Sequence, residues 1–384
     1  MRKLRYLESI GDIAAGHWNG LFGGGNPFVR HEFLDALESS GSVGGATGWQ
    51  PQHLVLEEGN EQVAAMPLYL KTHSYGEFVF DWGWAEAYAR HGLEYYPKLL
   101  TAVPFTPSAG PRIGFAAEQG RRKLVESIVA VVQELAREHE LSGWHLLFPD
   151  HSLQSELGAI AAESGLLQRS DVQFHWHNRA YASFDEFLAT FRSSRRKTLK
   201  RERRLVAEQG VVLERSTGSS ITDEEWHGFY KCYRSTYQKR SGHGGYLTRD
   251  FFRRLLESMR DSLLLVVARR GGDIVASSLF LFDEQTLYGR YWGALEDVHC
   301  LHFEACFYQG IEFCIERGLA RFDPGTQGEH KLMRGFEPVT TTSWHWLADE
   351  RFRNALQAYL AREGSGTEAY RDLAAEFLPY RRDG

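Results

Sequence analysis

The sequence predicts an α/β protein with mixed sheets, divided into two domains. Three observations carry that prediction. At 384 residues the chain is longer than one hydrophobic core usually holds. Stretches of apolar alternation and of helical periodicity take turns along its whole length. In the second half a basic helix is followed by helices, three consecutive strands, a helix, a strand, and a closing strand with further helix. The expected boundary falls near the S-x-x-E signature at Ser183, giving domains at 1–180 and 181–384.

Composition narrows the function classes. With 43% hydrophobic and 13% aromatic residues, the chain can bury sizeable cores. A formal charge of −6 argues against a protein that binds polyanions over its whole surface, so any phosphate site must be a local basic patch. The 4 cysteines (Cys232, Cys300, Cys306 and Cys314) form no C-x-x-C pair, which signals neither a zinc knuckle nor a disulfide framework. No metal site and no tightly bound cofactor is expected. The N-terminal MRKLRYLESIGDIAAG lacks an uninterrupted apolar core, and runs such as Leu263–Ala268 are far below spanning length. A soluble, cytoplasmic protein is expected.

In the first half, 27–40 has helical spacing ended by Gly41, and 53–57 and 62–70 read as strands paired around Glu58-Gly59-Asn60. The segment 71–90, KTHSYGEFVFDWGWAEAYAR, crowds Lys71, His73, Tyr75, Glu77, Trp82 and Trp84 together. Aromatic faces mixed with polar heads suit a groove wall that stacks a ligand or peptide, and equally a core edge with satisfied polar tips. A helix at 121–140, a strand at 144–148, a helix at 153–164 and a strand at 172–180 complete this half.

The second half opens with one long helix expected from Ser183 to Gly210, densely basic in its middle. Arg196, Lys200 and Arg203 fall on one face at helical spacing, enough to hold a diphosphate or an RNA backbone. Strands follow at 263–269, 274–283 and 286–294, and a helix at 302–317 stops at Gly318, the expected C-cap.

The stretch 321–338, RFDPGTQGEHKLMRGFEP, gathers the chemistry. A short strand ends in Asp323-Pro324-Gly325, and Glu329, His330, Lys331 and Arg334 follow within a few residues. Loops at strand ends are where α/β folds keep their reactive groups. Acid, imidazole, ammonium and guanidinium thus sit together on a loop that can approach a ligand closely. Tyr291 and Asp323, at the ends of the flanking strands, are secondary catalytic candidates.

The order of elements resembles the GNAT acyltransferase fold, and several segments are similar to its FemAB-like branch, in which two GNAT-like units share one chain. The basic helix with Gly210-Val211-Val212, the run Tyr291-Trp292-Gly293-Ala294, and Arg321-Phe322-Asp323-Pro324-Gly325 carry the likeness. LYLKTHSYGEFVFDW, PFTPSAGPR, QFHWHN and GTQGEHKLMRGF look like the bacterial FemAB-like group of N-acyltransferases. One departure stands out. Where acetyl-CoA-using GNAT enzymes carry a glycine-rich pyrophosphate cradle, this chain reads Leu295-Glu296-Asp297-Val298-His299-Cys300-Leu301-His302, without glycine and with two acids.

The resemblance implies an N-acyltransferase working in a cleft between two GNAT-like units, with His330 or Glu329 accepting the amine proton and Lys331 and Arg334 holding an acceptor carboxylate or phosphate or stabilising the oxyanion. Acyl-CoA or aminoacyl-tRNA would serve as co-substrate, and a small-molecule or peptide amine as acceptor. A tRNA or a nucleotide diphosphate would lie on the basic helix, and a cell-envelope product would suit the family. The alternative is a catalytically silent recognition module that binds a peptide, a lipid intermediate or a polysaccharide-machinery partner through the aromatic segment. The sequence says nothing of oligomeric state.

Overall fold

A computed structural model describes residues 2–326 and 328–381. The chain forms two compact units, one from 1–172 with 340–369, the other from 173–339 with 370–384. This differs from two contiguous halves. The chain leaves the first unit within the strand Leu167–His177, returns within Glu337–Leu347, and leaves again near the end of the helix Glu350–Glu376. Because two of these crossings fall inside strands and the third inside a helix, no reading based on loops and linkers finds them. Among the described residues no helix is long and apolar enough to cross a membrane.

The first unit holds an antiparallel sheet of Arg2–Leu7, His53–Glu58, Glu61–Met66 and Gly114–Phe115. Its other strands run in the order 340–347, Gly143–Leu147, Lys98–Thr101, Tyr69–Lys71 and Trp49–Pro51. The helices Arg121–Glu138 and His151–Ser164 cover one face through Val125, Ile128, Val132, Leu153 and Leu157, packed on Trp144, Trp344 and Trp346. Burying such side chains contributes roughly 1.5–3 kcal/mol apiece before entropy is counted.

In the second unit the strands Val211–Thr217, Leu263–Arg270, Asp273–Phe282 and Thr286–Ala294 form an antiparallel meander. The three consecutive strands expected from sequence are there. Arg321–Asp323 then joins parallel to Thr286–Ala294, and its far side pairs with the end of Leu167–His177.

The expected single basic helix is two. Phe184–Ala189 is capped by Ser183, whose side chain accepts from the Glu186 N–H, and Ser193–Glu208 carries the basic residues. The chain breaks between them because the Arg192 and Arg381 N–H groups bond to the carbonyls of Pro379 and Thr190, a bridge formed with the C-terminal segment. Buried Phe191 packs edge-on against Tyr380. A contact so distant in sequence leaves no local signal.

Candidate active site

The parallel pairing of Thr286–Ala294 with Arg321–Asp323 covers only Thr286 to Tyr288. Beyond Tyr288 the first strand continues to Ala294, while the second chain turns away at Pro324-Gly325. The strands splay, and a cavity of about 410 Å³ opens in the gap. All its lining residues lie in the second unit. The antiparallel side of the same strand has a bulge: Leu279 faces Tyr291, but Phe280 faces Gly289, so Arg290 is the extra residue. In a regular strand neighbours point to opposite faces; the bulge lets both Arg290 and Tyr291 line the cavity.

The opposite wall comes from the helix spanning Leu301–Arg317, which contains a π-helical turn at Glu304–Tyr308. One extra residue in that turn re-aims the helix face, and His302, Cys306 and Phe307 reach the cavity. The turn is held from outside. Arg203 donates from Nε and Nη2 to the Glu304 carboxylate at 3.0 and 2.9 Å, and from Nη1 to Glu312 at 2.5 Å.

The third wall is the loop singled out in the sequence. Glu329–Arg334 forms a 3₁₀ turn that presents His330 and Lys331. Gly328 has φ +104°, and a Cβ there would lie 2.2 Å from the His330 ring, so both backbone and space require glycine. Lys331 is buried, with Nζ donating to the carbonyls of Gly325 at 2.7 Å and Thr326 at 3.2 Å. An ammonium has three donors, which leaves one for a ligand.

The lining has one sign of charge. Arg240, Arg290 and Lys331 contribute to it with His302 and His330, and among the described residues it contains no carboxylate, in a chain with 50 acids against 44 bases. Burial, with the Arg334 and Lys331 charges adding to it, holds the His330 imidazole below its usual range. Burial, His330 and Arg240 push His302 down to about 4. Both rings are therefore neutral at physiological pH. Burial lowers Lys331 to about 8 despite the opposing Asp323 charge. It raises the Tyr291 hydroxyl and the Cys306 thiol, which both keep their protons. His330 Nε2 is buried without a hydrogen-bond partner.

Of the residues singled out in the sequence, His330, Lys331 and Tyr291 meet at this cavity. The rest stand elsewhere. Glu329 is exposed and accepts from the Tyr370 hydroxyl at 2.8 Å. Asp323 is buried just behind the cavity, accepting from the Gly325 N–H at 2.9 Å. Arg334 is not an open anion ligand: it is buried, pairs with Glu202 at 2.7 Å, donates to the Tyr308 hydroxyl, and stacks 3.4 Å over Phe303. Arg203 turns inward to Glu304 and Glu312, so it does not share an open basic face with Arg196 and Lys200, and Lys200 pairs with Asp185.

The aromatic segment of the first unit also departs from a groove wall. Lys71 is buried 3.7 Å over the Trp49 ring, and Glu77 is buried against Lys98 at 2.8 Å. His73 bonds the Thr47 carbonyl. Tyr75 and Trp82 are exposed and pack edge-to-face, while Trp84 packs edge-on against His345. Arg240 and Arg290 went unnoticed in the sequence, and their only signals are positions beside GHGG and inside YGRYWG.

A family model described as FemAB-like, peptidoglycan biosynthesis/recognition, matches residues 9–382. The chain belongs to the FemAB-like family. No curated protein sequence matches it. Among solved structures, FemX aligns over 92% of this chain and 100% of its own, at 11% identity and a TM-score of 0.52. The C-terminal domain of a putative lysylphosphatidylglycerol synthetase from Agrobacterium fabrum aligns over 93% of this chain and 96% of its own, at 11% identity and a TM-score of 0.54. L-PGS from Bacillus licheniformis covers 88% of this chain and 96% of its own, at 11% identity and a TM-score of 0.51. At such identities these likenesses speak to fold alone, a mixed α/β architecture shared with FemX, and membership of the FemAB-like family supports an acyltransferase-type function.

Proposed function

We propose that this FemAB-like protein is an N-acyltransferase that moves an acyl or aminoacyl group from a thioester or ester donor to an amine at the second-unit cavity. The observation that carries the reading is His330, a neutral imidazole with an unpartnered Nε2, beside Lys331 and Tyr291 on a cavity without carboxylates. Aminolysis needs a base for the amine proton, a positive partner for the oxyanion, and an acid for the leaving group. His330 Nε2 takes the proton as the amine nitrogen attacks the carbonyl carbon. The remaining Lys331 N–H meets the oxyanion, and the Tyr291 hydroxyl protonates the departing thiolate or alkoxide. His330 returns its proton to Tyr291 through solvent.

Arg240 and Arg290 favour a donor carried on phosphate, which both coenzyme A and tRNA supply. The 295–302 loop, without glycine and with Glu296 and Asp297, disfavours a pyrophosphate cradle there. The test is product formation, followed by mass spectrometry, from acetyl-CoA, a long-chain acyl-CoA and aminoacyl-tRNA with a panel of amine acceptors. Transfer from at least one donor, weakened by Arg240→Ala, supports the reading. Tight binding without product, indifferent to His330→Ala, would favour a recognition module.

A further inference from the structure

The first unit contains a second, separate constellation. A cavity of about 120 Å³ is lined by Phe80, Arg169, Asp171, Thr341 and Ser343, among others. From Ser343 an unbroken hydrogen-bonded chain runs into the core. Ser343 Oγ lies 2.8 Å from His345 Nε2, and His345 Nδ1 lies 2.7 Å from His145 Nδ1. His145 Nε2 lies 3.1 Å from the Tyr95 hydroxyl, which is 2.7 Å from Asp81 Oδ2. Asp81 is in turn bound by Lys98 Nζ at 2.5 Å, and Lys98 also holds Glu77. Ser343 and His345 share a strand face two residues apart, and the register that pairs His345 with His145 brings the rings together.

The donors along this chain can be assigned in one way only. Burial pushes Asp81 up, but the Lys98 charge outweighs it and holds the carboxyl ionised, at about 2. Tyr95 therefore donates to Asp81 and accepts from His145 Nε2–H. Burial lowers both imidazoles, so both are neutral, and His145 Nδ1 must accept from His345 Nδ1–H. His345 Nε2 then has only a lone pair, and Ser343 must donate to it. The serine proton points inward, and Ser343 lines the cavity. Asp81 stays ionised on Lys98, and the chain it anchors fixes His345 in the tautomer whose Nε2 lone pair faces the serine proton. A core that needed only packing would not require five polar groups in series, each under 4% exposed.

We propose that Ser343 is a base-activated nucleophile that accepts short acyl groups from small esters or thioesters entering this cavity. Ser343 Oγ bonds to the carbonyl carbon while its proton passes to His345 Nε2. Arg169 also lines the cavity, but its guanidinium is tied to Glu363 at 2.9 and 2.8 Å and to the Phe80 carbonyl at 2.7 Å, so it acts on the oxyanion through its field and not as a free donor. The carbon–oxygen or carbon–sulfur bond to the leaving group breaks, and that group takes the proton back from His345. Water then attacks the acyl-serine with His345 as base, releasing the carboxylic acid and restoring Ser343.

The test treats the full chain with a small dialkyl fluorophosphonate, in which the serine oxygen bonds to phosphorus and fluoride leaves. The expected result is one adduct per chain, mapped to Ser343, absent in Ser343→Ala and in urea-unfolded protein. Tyr95→Phe, which interrupts the chain while keeping the ring, should slow labelling at least 10-fold. If Tyr95→Phe does not fold, p-nitrophenyl acetate hydrolysis by wild type against Ser343→Ala decides. Ser343→Ala should leave second-unit acyl transfer unchanged. No adduct at Ser343 in the folded protein, an unchanged rate in folded Tyr95→Phe, or ester hydrolysis equal in wild type and Ser343→Ala would overturn the proposal.

Discussion

Lys331 Nζ donates to the carbonyl of Gly325 at 2.7 Å, so the residue beside His330 fastens the loop that carries it. The same ammonium is held in a buried place that disfavours its charge. Its acidity in the folded chain moves from 10.5 to about 8. Below pH 8 both folded and unfolded chains hold the proton, and the full penalty is present. Between 8 and 10.5 the unfolded chain binds more protons, so stability rises with pH. The wild type should gain on the order of 3 kcal/mol relative to Lys331→Met across that window. Urea midpoints of both proteins at pH 7.5 and 10 measure it.

Gly328 should not tolerate a methyl group. Gly328→Ala places a Cβ 2.2 Å from the His330 ring at a φ of +104°. The expected outcome is a loss of about 1–3 kcal/mol in stability and displacement of His330. Activity should fall at least 10-fold, read by comparing denaturation midpoints with turnover.

Arg203 and Arg196 should behave in opposite ways although both belong to the basic helix. Arg203→Ala leaves the carboxylates of Glu304 and Glu312 without their guanidinium and loosens the π-helical turn behind His302 and Cys306. With Arg203 about a quarter exposed, the expected loss is about 2 kcal/mol rather than the larger value of a fully buried pair. Arg196→Ala, on a partly exposed face, should stay within about 0.5 kcal/mol of wild type. Thermal unfolding of both variants separates the structural arginine from the solvated one.

These contrasts mark what the sequence reveals. The meander, the helix stopping at Gly318 and the strand ending at Asp323 are legible because period and caps are local properties. His330 and Lys331 are legible because they follow the strand end at Asp323, whereas Tyr291 lies inside Thr286–Ala294 and reaches the cavity through the bulge and the splay of the strands. Arg334 and Arg203 mislead because their partners, Glu202, Glu304 and Glu312, are 132, 101 and 109 residues away. Lys71 and Glu77 mislead likewise: the buried Lys98 they surround gives no sign of itself until the strands pair. The bulge at Arg290 and the π-helical turn at Glu304 depend on single extra residues, which periodicity alone does not detect.

The acid limb of catalysis should belong to His330. Its neutral form is the working base, and burial with the neighbouring cations holds it below 6.5. kcat/KM should therefore rise with pH to a plateau reached before neutrality. Its midpoint should lie below 6.5, and that limb should vanish in His330→Gln.

The most decisive measurement is a single-turnover transfer assay, with enzyme in excess of donor and saturating amine, comparing wild type with His330→Ala. The account predicts acylated amine from the wild type and a drop of at least 100-fold in the variant, with the melting temperature and donor affinity essentially unchanged. Equal rates in the two proteins would contradict it and remove the second-unit cavity as the place where acyl transfer occurs.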